Sequence, residues 1–157
     1  ETSVGKYPVR CVEVLDKVCR RTELSGGVGY AEHSPLKTEK HKIVKSAIVL
    51  ANSMPDAKIV VFTKHGVMAH YTAHLRPKYA PIFAFCPALD VCRSLLMSRA
   101  VYPTQLDFET ETPEPAIDAA VRLLKAKNYV RDDDPLILIS DVLHGEFKWD
   151  SIILKRV

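Results

Sequence analysis

A large excess of either sign of charge is missing from this chain. Its 157 residues carry 22 Lys plus Arg against 19 Asp plus Glu, a formal net charge of +3, with both signs mixed along the whole length. Nucleic-acid-binding domains concentrate Lys and Arg on one face or stripe, so the balance excludes any strong reading of that kind. Long apolar runs are missing as well, since none reaches the ~18–20 residues needed to span a bilayer. The opening Glu1-Thr2-Ser3 offers no basic n-region, no apolar h-region and no initiator methionine, so it reads as the interior of something longer. Cysteine is scarce and its spacing is never C-x-x-C. Cys11, Cys19, Cys86 and Cys92 are therefore expected to be reduced, small hydrophobes in an intracellular protein. No internal repeat and no low-complexity tract interrupts the chain.

What is present suits one globular domain. Hydrophobic residues make up 47% and charged residues 26%, which argues against disorder. A chain of this length buries roughly 68–70% of its unfolded surface and needs no metal or disulfide staple.

Periodicity divides the chain into alternating elements. Val9, Val12, Leu15, Val18 and Cys19 recur at helical intervals from Pro8 to Leu24, with Pro8 suited to a first turn and Ser25-Gly26-Gly27 ending the run. A second helix starts at Thr38, a suitable N-cap, carries Ile43, Val44, Ala47, Ile48 and Ala51 on one face, and stops at Asn52-Ser53-Met54-Pro55. The β-branched run Lys58 to Thr63 then reads as a strand covered on both faces. A helix from Gly66 to Leu75, a strand from Pro81 to Cys86, a helix from Ala88 to Ser98 and a short strand Ala100-Val101-Tyr102 before Pro103 follow. An acidic loop, Asp107 to Pro115, leads into a helix from Glu114 to Asn128. Leu136 to Ser140 and Ser151 to Lys155 supply two more strands, joined by a connection from Asp141 to Asp150 that suits an antiparallel return. Strands separated by helices make βαβ units. The expected fold is a three-layer α/β/α domain with a five-stranded, mostly parallel sheet and an antiparallel last strand.

In such a sheet ligands bind at the carboxyl ends of the strands. The segment Thr63-Lys64-His65-Gly66-Val67-Met68 lies at one such end, where helix N–H groups attract phosphate and Lys64 and His65 add positive charge. Composition alone also allows an ordinary strand-to-helix turn. A G-x-x-x-x-G-K-S/T loop is absent, and so is a G-x-S-x-G elbow. His70 and His74 have a spacing that places two imidazoles on one metal, but no third ligand accompanies them, so no metal site is assigned. Gly26-Gly27-Val28-Gly29 follows a helix, not a strand, and reads as a linker. Asp132-Asp133-Asp134 precedes Pro135 and reads as a solvated turn. The residues themselves point to a fold and one phosphate-facing turn, with no catalytic centre.

The order of segments resembles the C-terminal domain of pyruvate kinases. Glu1 to Val9 is similar to that family's E-T-x-x-G-x-Y/F-P segment, Ser46-Ala47 to its S-A-V, and Lys58 to Thr63 to its A-x-I-V/I-V-x-T strand. Leu75-Arg76-Pro77 is similar to Y-R-P, Pro81-Ile82-Phe83-Ala84 to P-I-I/L-A/V, and Arg99-Ala100-Val101-Tyr102-Pro103 to R-G-V-Y-P. The resemblance runs over essentially the whole chain. It implies that residues 1–7 are the tail of a catalytic barrel and residues 8–157 the α/β domain. It also implies a cytoplasmic glycolytic enzyme, a homotetramer in which this domain forms a subunit interface, and phosphoryl transfer from phosphoenolpyruvate to ADP elsewhere, with Mg2+ and K+. The fragment itself would need no cofactor and hold no catalytic residue.

In many members of the family this domain binds a sugar bisphosphate, whose phosphate sits in a hydroxyl-rich S-G-T/R-S/T turn before a helix. Here Thr63 and Gly66 match, while His65, Val67 and Met68 replace hydroxyl positions. A second effector segment corresponds to Val142 to Trp149 and keeps only Gly145, with Lys148 supplying positive charge across the cleft. The expectation is a site that still takes an anionic effector at Thr63, Lys64, His65, Gly66, Val67, Met68, Gly145 and Lys148, but not the usual bisphosphate. The other reading is a pocket closed around Met68 and Trp149. For the whole chain, a non-catalytic paralogue and a stand-alone phosphate-ligand module are the alternatives.

Overall fold

The computed structural model describes residues 1–24, 33–108, 113–144 and 147–157, with backbone alone at 113, 141–144 and 147–149. Ten elements follow in order: α1 (Pro8–Leu24), α2 (Glu39–Ser53), β1 (Lys58–Phe62), α3 (Val67–His74), β2 (Ile82–Cys86), α4 (Leu89–Leu95), β3 (Val101–Gln105), α5 (Pro113–Ala126), β4 (Pro135–His144) and β5 (Phe147–Arg156). The sheet order is β3-β2-β1-β4-β5. β1 pairs in parallel with both β2 and β4, β2 with β3 in parallel, and β4 with β5 antiparallel. This is the expected sheet.

Strand alternation distributes the core between two layers. Ile59, Val61, Ile82, Ala84, Ile137 and Ile139 face α2, α3 and α4, where Val44, Ala47, Ile48, Met68, Ala69 and Leu95 meet them. Val60, Phe62, Phe83, Phe85, Leu136 and Leu138 face α5, which contributes Ala116, Ala120 and Leu124. Burial on both faces explains why the central strands read as unbroken apolar runs. α2 starts as expected: the Thr38 hydroxyl accepts a hydrogen bond from the His41 N–H at 3.3 Å. α1 buries none of its residues and contributes none to either buried cluster.

Several boundaries differ from expectation for physical reasons. β3 continues through Pro103 to Gln105. It is an edge strand, so the N–H that proline lacks is not owed to a neighbour. α4 ends at Leu95, after which Leu96, Met97 and Ser98 donate to carbonyls three residues back, a tighter winding than the α-helix. The connection expected from Asp141 to Asp150 is instead largely strand, with Asp141 opposite Asp150 and His144 opposite Phe147. The β-formers Val142, Phe147 and Trp149 carry the ladder beyond the apolar run. The sequences Ser25-Gly26-Gly27 and Val28-Gly29 lie outside the described residues.

Two readings of polar and sulfur residues are corrected. Cys86 and Cys92 form a disulfide, with Cα atoms 6.2 Å apart, while Cys11 and Cys19 are free. The strand-to-helix turn returns the chain so that the end of β2 meets the first turn of α4, which spacing along the sequence does not reveal. The aspartate run is solvated as expected at Asp132 and Asp133, whose side chains are 94% and 83% exposed, and departs from that reading only at Asp134. Asp132 pairs with Lys125 at 2.8 Å, Asp133 with Arg156 at 3.5 Å, and Asp134 is largely buried against Lys58. Its carboxylates are neutralised by side chains brought from three different elements.

Candidate functional site

β1 delivers the candidate turn to the carboxyl end of the sheet. The Thr63 N–H donates to the Phe85 carbonyl at 3.0 Å, so the parallel pairing of β1 and β2 persists to the first residue of the turn. Thr63 is buried, whereas Lys64 and His65 are exposed. Gly66 then reverses the chain at φ +80°, the left-handed region that favours glycine, and caps α3 without a side-chain hydrogen bond. The His70 N–H takes the Gly66 carbonyl at 2.9 Å. The N–H groups of Val67, Met68 and Ala69 precede that first bond and point out of the helix start, toward the end where an anion is favoured.

The side chains of the turn divide by function. Lys64 and His65 face solvent at the mouth, where Lys64 brings a positive charge. Val67 is 44% exposed, but Met68 is 2% exposed and packs into the core beneath, beside Ala69 and Leu95. Met68 therefore contributes its backbone and not its thioether to the face of the turn. The floor under Gly66 comes from α4, since a Cβ at that position would stand 3.4 Å from Val91 Cγ1 and 3.6 Å from Leu95 Cδ2. Sequence reasoning did not anticipate Val91 and Leu95 here. They are ordinary apolar helix positions, and only packing brings them under the turn.

The other expected residues lie on the β4–β5 hairpin. Val61 is level with Ile139 across the parallel pair, and Lys148 is opposite Leu143. The hairpin backbone at Lys148 thus rises about 7 Å past the level of Thr63, at ~3.3 Å per residue, at the same end of the sheet. Gly145 lies outside the described residues, as do the side chains of Lys148 and Trp149. No group of three or more His, Cys, Asp or Glu side chains able to hold a metal occurs among the described residues. His70 is instead hydrogen-bonded through Nδ1 to the Ser98 hydroxyl at 3.0 Å. What the turn offers chemically is a cluster of outward N–H donors with two basic side chains at its mouth.

Comparison with known proteins agrees with this architecture. Residues 41–151 match the family model described as "Pyruvate kinase, alpha/beta domain". The chain is 31% identical over 144 residues to pyruvate kinase isozyme G, chloroplastic, of Nicotiana tabacum, covering 88% of this chain and 25% of that protein. It is 28% identical over 146 residues to pyruvate kinase 2 of Synechocystis, covering 92% of this chain and 24% of that one. The Cryptosporidium parvum pyruvate kinase solved in complex with ADP superposes with a TM-score of 0.77 at 23% identity, covering 97% of this chain and 31% of that structure. The chain thus spans a quarter to a third of the length of these relatives.

Proposed function

The chain belongs to the pyruvate kinase alpha/beta domain family, and from that premise we propose that it serves as the regulatory and subunit-interface domain of a pyruvate kinase. In this reading the parent enzyme transfers a phosphoryl group from phosphoenolpyruvate to ADP, with Mg2+ and K+ acting at the barrel, and assembles as a homotetramer. The domain by itself is not the catalyst. Its contribution is to hold an anionic effector at the Thr63 to Met68 turn, with the β4–β5 hairpin on the far side of the cleft.

The observation that carries this reading is the left-handed Gly66 opening α3 at the carboxyl end of β1. That backbone geometry attracts an anion with no help from side chains. The side chains are what set the choice of anion. His65, Val67 and Met68 supply none of the hydroxyls of the family's turn, and each missing charge-assisted hydrogen bond is worth roughly 1.5–3 kcal/mol. Two such losses weaken a sugar bisphosphate by about two to four orders of magnitude.

Two measurements test the proposal. A coupled assay with phosphoenolpyruvate, ADP, Mg2+ and K+ is expected to show no pyruvate formation by the purified chain, and turnover proportional to its concentration overturns the non-catalytic reading. Calorimetric titration with fructose 1,6-bisphosphate is expected to show millimolar binding or none. The His65→Ser/Val67→Thr double variant should tighten it by about a hundredfold or more. Micromolar binding by the unaltered chain, or no gain in the double variant, overturns the effector reading.

A further inference from the structure

We propose that the Cys86–Cys92 bridge is a thiol switch for the Gly66 turn, set in its packed form by the disulfide and released by a dithiol reductant. The bridge joins the last residue of β2 to α4, at the carboxyl end of the sheet where the turn also lies. What the turn binds rests on the effector reading above, whereas control of the turn by the bridge does not.

The two ends of the bridge are held unequally. Cys86 belongs to a strand buried throughout, and its carbonyl accepts the Leu106 N–H at 3.0 Å. The next carbonyl, that of Pro87, accepts from Gln105 Nε2 at 2.9 Å. The end of β2 is therefore fixed beside β3 without help from the sulfur. α4 is held less firmly. It is seven residues long, well under the ~12–15 at which an isolated helix becomes even marginally stable. No side chain caps it at Ala88, and the residues it buries are Cys92 and Leu95. One of those two anchors is half of the bridge.

The same short helix forms the floor of the turn. Val91 precedes Cys92 and Leu95 follows it by about one helical turn, and their side chains stand 3.4 Å and 3.6 Å from where a Cβ at Gly66 would lie. Both pack in the cluster that holds Met68 and Ala69, in the first turn of α3. A covalent sulfur–sulfur bond is much shorter than the contact two separate thiols keep, so reduction needs room. A dense core supplies room only when something moves, and the element free to move is α4. Its displacement passes to Val91 and Leu95, and from them to the backbone whose N–H groups open α3.

The step is thiol–disulfide exchange. Cys92 is 6% exposed and Cys86 is 0%, so the reductant's thiolate approaches from the Cys92 side and bonds to Cys92 Sγ. The sulfur–sulfur bond breaks, its electron pair leaves on Cys86 Sγ, and that thiolate takes a proton. The reductant's second thiol loses its proton, attacks its own partner sulfur in the mixed disulfide and releases Cys92, which is protonated in turn. The two cysteines gain two electrons and two protons, and the dithiol becomes a disulfide.

The test compares two-dimensional amide NMR spectra of the full chain before and after reduction with dithiothreitol, with alkylation and mass spectrometry fixing the state of Cys86 and Cys92. On reduction the Gly66, Val67, Met68 and Ala69 amides should shift, and amide exchange over Leu89–Leu95 should quicken about tenfold or more. The Ile59, Val60, Ile137 and Leu138 amides should stay in place, and reoxidation should restore the first spectrum. Cys92→Ala should show the reduced pattern at the turn and ignore dithiothreitol. Inorganic phosphate titrated into both forms should differ in affinity by about fivefold or more. Unmoved turn amides with both thiols free, a bridge that resists dithiothreitol in the folded protein, unfolding of the whole chain on reduction, or equal phosphate affinity in the two forms each overturn the proposal. Phosphate binding by neither form overturns the effector reading and leaves the switch standing on the amide shifts.

Discussion

Lys58, the first residue of β1, donates from Nζ to Oδ2 of Asp134, 2.5 Å away and immediately before β4 begins. The two side chains are only 14% and 12% exposed. The Arg131 N–H reaches the same oxygen at 2.8 Å. One carboxylate thus pins the entry points of the two central parallel strands, with Lys58 in register with Leu136.

This contact makes stability depend on acid. Burial pushes the Asp134 carboxyl up, but the Arg131 N–H and the Lys58 ammonium together hold it below its ordinary value. A carboxylate with a lowered folded-state pKa contributes stability above its unfolded value of about 3.9, and that contribution is lost as pH falls through the folded value. Asp134→Asn should cost about 1–3 kcal/mol at neutral pH. Its penalty should shrink between pH 5 and pH 2, where the parent loses the same interaction. Urea unfolding at several pH values measures both, and a penalty independent of pH contradicts the assignment.

Gly66→Ala should lower stability by about 1–2 kcal/mol, because a Cβ is unfavourable at positive φ. The nearest neighbour of the added carbon, Val91 Cγ1 at 3.4 Å, is at ordinary contact distance, so the cost is conformational. Gly66→Asn should cost less, since asparagine tolerates the left-handed region. Thermal melts of the two variants in parallel give the order. Equal or reversed losses place the effect elsewhere.

Ile137→Ala and Val12→Ala should differ sharply. Ile137 is fully buried between two layers, whereas Val12 on α1 is 55% exposed. Truncation at Ile137 should cost about 2–5 kcal/mol, and truncation at Val12 within ~0.5 kcal/mol. Denaturant midpoints of the isolated chain test this. A loss above 1 kcal/mol at Val12 would show that α1 packs on something.

The Cys86–Cys92 bridge closes a loop of seven residues, and the chain-entropy model assigns such a loop about 2–3 kcal/mol. Reductant should lower the melting temperature of the parent chain but leave that of Cys92→Ala unchanged. Alkylation of the native, unreduced protein followed by mass spectrometry should modify Cys11 and Cys19 only. Labelling of Cys86 without prior reduction would show the bridge to be open.

The central strands and their two-faced burial were legible in the residues, because Lys58 to Thr63, Pro81 to Cys86 and Leu136 to Ser140 are short β-branched or aromatic runs separated by helical periods. A pattern of that kind leaves the sheet few alternatives, since parallel strands require crossovers and both faces must be covered. The position of Gly66 after β1 was legible for the same reason: a strand end followed by glycine and a helical run marks a turn with outward N–H groups. The sequence alone also determined the antiparallel last strand, as too few residues separate it from β4 for a helical crossover.

Tertiary structure alone decided what lies beyond nearest neighbours along the chain. Met68 looked like part of the turn's face, but the period of α3 carries it into the core with Leu95. Cys86 met Cys92, and Asp134 met Lys58, through folding contacts that no local spacing encodes. Periodicity reports which face of its own element a residue occupies. Which residue of another element stands opposite depends on how the layers pack, and in this domain that packing puts Met68 in the core and Asp134 against Lys58.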